Sequence, residues 1–367
     1  MVQNLLIAVA IFNLSIVVGY SIYFFSKLTF FKSNTTPFNK PISIIICAKN
    51  EADNLKNHLP KVLGQDFPEF EVVVVNDQSK DGTAAVLKNF EQNYPDLVVV
   101  TIDHHIKRWP GKKFALTLGI KTAKHEYLLL TDADCLPNND NWAKKMSSNF
   151  HRSEIVLGFG GYQKRKGLLN KIIRFDTFNV AQQYLSYALS GFTYMGVGRN
   201  MAYKKSLFFE NKGFAKHLHI PSGDDDLFIQ EVAKKDNVSV EISTDSHTIS
   251  SVIESWKEWS YQKRRHITTA PLYKTKFKLL LSIFPYAQFF FWTAIIMLFV
   301  LKAPLAITAT LLGVKLLVSY LVNYKPMKQL NTIDLYWIHP VYEVFHLLVQ
   351  GIFVLLNLIN KPKNWSR

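Results

Sequence analysis

The sequence predicts an α/β protein with a Rossmann-like, mostly parallel sheet, joined to one N-terminal and two to three C-terminal membrane helices. Three observations predict it. Short β-branched runs alternate with helically spaced segments through the first third of the chain. Three of those runs end in clusters of acidic and small polar residues. Uncharged stretches long enough to cross a bilayer lie near both ends. The chain accordingly divides into an anchor (1–27), an α/β domain (38–275) and C-terminal membrane helices (279–360).

Residues 2–26 carry no charged side chain. A cleaved signal peptide would hold its basic residues ahead of the apolar stretch. Here Lys27 and Lys32 follow it, which predicts an uncleaved helix with its N-terminus outside.

Near the other end, residues 279–301 and 303–323 read as two spans joined by a turn at Lys302, Ala303 and Pro304. Residues 338–359 form a third candidate. His339, Glu343, His346 and Gln350 leave open whether it spans in contact with protein or lies at the interface. Lys315, inside the second span, either snorkels or pairs with Glu343. Lys27, Lys32, Lys274, Lys276 and Lys278 place the intervening domain on the cytoplasmic side of the cell (inner) membrane. Three C-terminal crossings would leave Lys361, Lys363 and Arg367 outside, against that bias; a surface-lying last segment removes the conflict.

Between the membrane segments, residues 42–48 form an apolar run suited to a buried parallel strand. Residues 51–63 then show helical spacing through Leu55, Leu59 and Val62. The alternation continues with a strand at 71–75, a helix at 83–90, a strand at 97–102, a helix at 114–123 and a strand at 127–131. Such sheets are covered on both faces and bind ligands beyond the carboxyl ends of their strands. Residues 49–51, 77–81 and 132–134 all fall there, so one shared site is expected. Residues 168–188 are amphipathic through Ile172, Phe175, Phe178 and Leu185; core packing and an interfacial position near a lipid acceptor both fit.

The net charge of +15 calls for an anionic partner. Acidic lipid headgroups and nucleotide diphosphates fit a chain with membrane segments, and no nucleic-acid module is visible. Cys47 and Cys135 are too few for a disulfide scaffold and read as reduced thiols.

Asp132 and Asp134, one residue apart at the end of an apolar strand, can share one divalent cation; Mg2+ and Mn2+ favour such oxygen ligands and bridge diphosphates. Gly223 leads three acids, Asp224, Asp225 and Asp226, which read either as a solvated turn or as the source of a general base. Lys263, Arg264 and Arg265 are either a membrane-facing basic patch or a phosphate site. His104, His105 and Trp109 read as a loop over a ligand rather than a metal site.

Seven pieces in order resemble a family 2 glycosyltransferase of the GT-A fold: 43–51 (SIIICAKNE), 74–83 (VVNDQSKDGT), 111–119 (GKKFALTLG), 130–134 (LTDAD), 198–203 (GRNMAY), 223–227 (GDDDL) and 262–266 (QKRRH). The resemblance covers roughly 41–269 and implies roles. Ala48 and Glu51 line the nucleotide pocket, and Asp77 accepts a hydrogen bond from uracil. Lys112 or Lys113 lies near the diphosphate. Asp132 contacts the ribose–diphosphate region and shares the Mg2+ or Mn2+ with Asp134. Asp225 is the general base, Asp224 lies beside it, and Arg199 and Asn200 border the acceptor. Gln262 and Arg265 match the Q-x-x-R-W motif of membrane-integrated synthases, with Arg265 on the leaving diphosphate. His266 stands where that motif has Trp, which removes its stacking role and any inference of processive synthesis. The implied activity is inverting transfer of a hexosyl or N-acetylhexosaminyl group from a UDP-sugar to a lipid-linked or surface polysaccharide. A nucleotide-sugar pyrophosphorylase, a non-catalytic membrane scaffold and a basic nucleic-acid binder are the rivals.

Overall fold

The structure is a computed structural model that describes residues 1–34, 36–106 and 111–362. Trp109, Lys363 and Arg367 lie outside the described residues.

The N-terminal helix α1 (Val2–Tyr20) continues through a π-helical turn (Ser21–Phe25) into α2 (Ser26–Thr29). An alternating series follows: β1 (Ile42–Ala48), α3 (Ala52–Leu63), β2 (Phe70–Asp77), α4 (Thr83–Asn93), β3 (Leu97–Ile102), α5 (Lys113–Thr122) and β4 (Tyr127–Asp132). β1 lies between β2 and β4 and is parallel to both, with Ile44 opposite Val72 on one side and Leu129 on the other. Every residue of β1 is buried. Val and Ile suit this position because both faces of a parallel strand meet helices, and each such side chain contributes about 1.5–3 kcal/mol when fully buried.

The chain then adds β5 (Cys135–Pro137), α6 (Trp142–Ser147), β6 (Ile155–Leu157), β7 (Gly160–Tyr162), α7 (Leu168–Leu189), β8 (Met201–Lys204), α8 (Lys205–Glu210), α9 (Asp226–Val232), β9 (Val238–Val240), β10 (Thr248–Ser250) and α10 (Trp256–Ile267). The main sheet runs β3-β2-β1-β4-β8-β6-β9, and β5-β10-β7 form a second, small sheet. β8 is antiparallel to both β4 and β6. β5 and β7 thereby hold the segments after β4 and β6 together at one end of the main sheet.

Three long helices complete the chain: α11 (Thr275–Val300), α12 (Leu305–Gln329) and α13 (His339–Ile359). With the N-terminal helix they make, among the described residues, four helices long and apolar enough to cross a membrane. Gln3 donates to the Leu301 carbonyl at 2.9 Å, so the start of α1 meets the end of α11. At the other end of the bundle, Phe24 packs on Tyr187 of α7, and Gln182 of α7 donates to Asn323 of α12. α7 is therefore the floor of the α/β domain and the roof of the bundle. Ile172, Phe175, Phe178 and Leu185 are all buried, so the apolar stripe packs in the core. Of the two readings left open for Lys315, pairing with Glu343 is the one found, inside the bundle.

Candidate active site

Two loops leave the carboxyl ends of β1 and β2 and are bonded to each other. The Asn50 amide donates to Ser79 Oγ at 2.9 Å, and the Lys80 amide donates to Asn50 Oδ1 at 2.8 Å. The Glu51 amide donates to Thr83 Oγ1, and the Ala52 and Thr83 amides both donate to Asp81. Asn50 and Gln78 adopt the left-handed backbone region this crossing requires. The acidic and amide residues of these segments thus build the loops, leaving Lys49, Asn50 and Glu51 on the wall of a cavity of about 580 Å3.

That cavity collects residues from distant parts of the sequence: Lys112, Asp132, Asp134, Arg199, Asp224, Asp225, Gln262, Arg265 and His266 all line it. Its deeper wall is apolar, with Ile173, Val180 and Ala181 of α7 and Leu281 of α11.

Oxygen atoms of Asp132 and Asp134 and Cys135 Sγ lie within 4.8 Å of one another. Burial and the two neighbouring carboxylates hold the Cys135 thiol well above its usual range, so it stays protonated. Asp132 and Asp134 offer carboxylate oxygens, donors that fit Mg2+ or Mn2+. Lys112 pairs with Asp132. Burial disfavours its charge, but Asp132 outweighs burial and keeps the ammonium protonated.

Asp225 caps the N-terminus of α9. Its Oδ1 accepts from the Asp226 amide at 2.9 Å and its Oδ2 from the Gly198 amide at 3.0 Å. Burial first, then the carboxylates of Asp224 and Asp226, push its pKa up to about 8. Asp226 is directed elsewhere, accepting from the hydroxyls of Thr269 at 2.5 Å and Tyr273 at 2.7 Å. It ties α9 to the turn after α10. The three acids are therefore not a solvated turn. Gly111 brings the Lys112 loop against this segment: a Cβ there would stand 2.1 Å from the Pro221 carbonyl oxygen.

Arg265 feels the carboxylates of Asp224, Asp132 and Asp225, and burial lowers its pKa. Its Nε is buried with no hydrogen-bond partner among the described residues. His266 opens onto the cavity, and its crowded surroundings together with the charges of Arg265, Lys263 and Arg199 push its pKa down, favouring the neutral ring. Gln262 accepts from the Tyr162 hydroxyl at 3.2 Å, and the Arg199 guanidinium lies 4.8 Å from the Tyr162 ring centre.

Four expected site residues require correction. Lys113 is fully buried and donates to the carbonyls of His217, at 2.6 Å, and Ile220, at 3.1 Å, so it braces a loop instead of facing the cavity. Asn200 is also fully buried: its amide donates to the Phe159 and Ser246 carbonyls, and its carbonyl accepts from Trp142. Ala48 and Asp77 are buried at the strand ends, outside the cavity lining. Of the basic run, Lys263 turns inward and Arg264 binds α13, so the run is not a membrane-facing patch.

Residues 43–210 match the family model described as glycosyl transferase family 2. The chain carries a family 2 glycosyltransferase domain. A poly-β-1,6-N-acetyl-D-glucosamine synthase of Staphylococcus epidermidis is 32% identical over 136 residues, covering 34% of this chain and 30% of that protein. Glycosyltransferase AglE of Haloferax volcanii is 31% identical over 133 residues, covering 36% and 41%. The match thus spans well under half the length of either relative. The mannosyltransferase PcManGT from Pyrobaculum calidifontis, solved with GDP-Man and Mn2+, superposes with a TM-score of 0.58 at 19% identity over 94% of this chain and 99% of that one. That likeness shows the fold: the glycosyltransferase domain is of the GT-A type.

Two lining residues of the glycosyltransferase domain had no signal in any motif. Tyr162 lies outside every motif, on a three-residue strand. Asp176 stands within the apolar stripe of α7, where the helix's one acidic side chain was the available signal. It accepts from Lys263 at 2.8 Å and contacts His346 at 2.9 Å.

Proposed function

We propose that the chain is an inverting, metal-dependent glycosyltransferase that moves a sugar from a UDP-sugar to a lipid-linked or surface polysaccharide acceptor at the cytoplasmic membrane face. One observation carries the reading: Asp132, Asp134, Asp225 and Arg265 surround a single cavity whose inner wall continues onto membrane helix α11.

Bound to Asp132 and Asp134, Mg2+ or Mn2+ would neutralise the donor diphosphate and favour its departure. Arg265, with a buried Nε free to donate, offsets charge on the leaving diphosphate. Asp225 takes the proton of the acceptor hydroxyl as that oxygen attacks the anomeric carbon. The bond to the diphosphate breaks as the new glycosidic bond forms, in one displacement that inverts the configuration. A carboxyl held near neutral pH suits this task, because proton affinity and ionised fraction are then both appreciable. The amides of Gly198 and Asp226 fix its orientation.

The N-acetylglucosamine polymer named for the staphylococcal relative makes an N-acetylhexosamine donor the first to test. That the Pyrobaculum mannosyltransferase was solved with both GDP-Man and Mn2+ supports the choice of metal. Apolar lining at Ile173, Val180 and Leu281 supports a lipid-linked acceptor.

The test is release of nucleoside diphosphate from a panel of UDP- and GDP-sugars by the purified full chain with Mn2+ or Mg2+, with and without membrane lipid extract. Lipid-stimulated turnover of one UDP-sugar, abolished by EDTA and by Asp134→Ala, supports the reading. Absence of turnover and of metal-dependent UDP binding would overturn it.

A further inference from the structure

Helix α13 is 21 residues long. At about 1.5 Å per residue that is long enough to cross a bilayer, and its composition allows it. Its bonds tell against a crossing. Just before the helix, Asp334 accepts from both terminal nitrogens of Arg174 on α7, at 2.8 and 2.6 Å. Near its end, Asn357 accepts from Arg264 Nε at 3.0 Å and donates to the Arg264 carbonyl at 2.8 Å, on α10. Between them, His346 contacts Asp176 of α7, and Phe353 packs on Trp259 of α10 at 5.6 Å. The segment just before the helix, its middle and its C-terminal end are all held by the same polar domain. A helix that crossed about 30 Å of hydrocarbon would carry its ends to opposite sides of the membrane.

The remaining contacts agree. Glu343, in the second turn, pairs with Lys315 of α12 and accepts from Gln288 of α11. The helix therefore starts against the bundle and leaves along the underside of the domain. Its faces are split accordingly. Tyr342, His346, Phe353 and Asn357 point to protein, while Val341, Leu348, Ile352, Leu355 and Ile359 form an exposed apolar stripe at helical spacing. α11 and α12 likewise expose apolar side chains, at Phe289, Ile296, Leu317 and Leu321.

We infer that α13 does not span the membrane: it lies along the bilayer surface beneath the domain, its apolar stripe seated in the lipid headgroup–acyl boundary. Three helices then cross, α1, α11 and α12. The contact between Gln3 and Leu301 marks the far side, and residue 361 returns to the side of the domain. Lys27, Lys274, Lys278, Lys328 and Lys361 then share one side, against Lys302 at the far turn. The charge bias that three C-terminal crossings would violate is restored. In-plane helices of this kind bury their apolar face by roughly 5–10 Å.

The inference stands independently of sugar transfer and is tested by labelling. Cys47 and Cys135 are buried, so introduced cysteines can be read against a low background. Lys361→Cys and, as a second position, Asn360→Cys are compared with Lys88→Cys on α4 and Lys302→Cys at the far turn, all exposed sites. Intact cells and inverted vesicles are treated with a membrane-impermeant maleimide. Labelling of positions 360 and 361 from the same side as position 88, opposite to 302, is expected; labelling with 302 overturns the inference. In proteoliposomes, a nitroxide on Leu355→Cys should report a shallow depth, whereas a depth at the bilayer centre would equally overturn it.

Discussion

Lys315 of α12 and Glu343 of α13 form an ion pair inside the helical bundle, with the Lys315 side chain fully buried and its ammonium 4.9 Å from the Trp292 ring centre. Removing one partner strands the other charge among apolar side chains, at a cost of about 3–5 kcal/mol. Lys315→Met and Glu343→Gln should each lower the thermal midpoint in detergent, and the double variant should lose less than the two losses added. Additive losses would show that the two side chains do not share an interaction.

Asp225→Asn should reduce transfer by about 10²–10⁴-fold, the contribution of a positioned general base. Wild-type activity should rise with pH through about 8, following the raised carboxyl. Stability should run the other way. The folded state keeps this proton where the unfolded chain has released it. The resulting stabilisation is therefore complete below the ordinary carboxylate range and is lost as pH climbs towards about 8. Thermal midpoints at pH 6 and 8 should differ less in Asp225→Asn than in the wild type. An unchanged pH–rate profile in a variant retaining activity would remove Asp225 from the chemistry.

Arg265→Ala should lower kcat by about 10²–10³-fold, as for loss of one preorganised donor to developing charge. Arg265→Lys should recover little, because a lysine cannot offer the planar fork. Single-turnover kinetics with a UDP-sugar would separate this from weaker donor binding; recovery of most of kcat by lysine would argue for simple charge neutralisation.

Asp176→Ala should destabilise the fold by about 3–5 kcal/mol, since it leaves Lys263 buried without its partner. Although burial opposes its charge, Lys263 outweighs burial and holds the Asp176 carboxyl well below its usual range. Its stabilisation is thus present throughout neutral and mildly acid pH and is lost only in strong acid. Urea unfolding at pH 7 and pH 5 should show the same deficit in the variant. A deficit confined to pH 7 would contradict the pairing.

Much of this was legible because the parallel strands write themselves as continuous β-branched runs, and residues 42–48 have the same bounds in sequence and structure. The short strands β6, β7, β9 and β10 were not visible, since three residues are too few to show alternation. Asp132, Asp134 and Asp225 could be found because small turn residues and acids stand together at strand or helix ends. Asp176 could not be recognised in the same way. Its meaning depends on Lys263 and on His346, the latter 170 positions away, and no local pattern encodes such a partnership. Lys113 and Asn200 were misplaced for a related reason: neighbours in a motif point in different directions once it is wound into a helix or turn.

The interlocked loops after β1 and β2 constrain how this domain can be re-engineered. Asn50 supplies both a donor and an acceptor to residues 79 and 80, and Asp81 and Thr83 take the amides of residues 51 and 52. Segments 49–52 and 79–83 form one module written in two places. A chimera with its junction between them would inherit mismatched halves of that module, so grafts meant to change donor preference should carry both segments from the same parent.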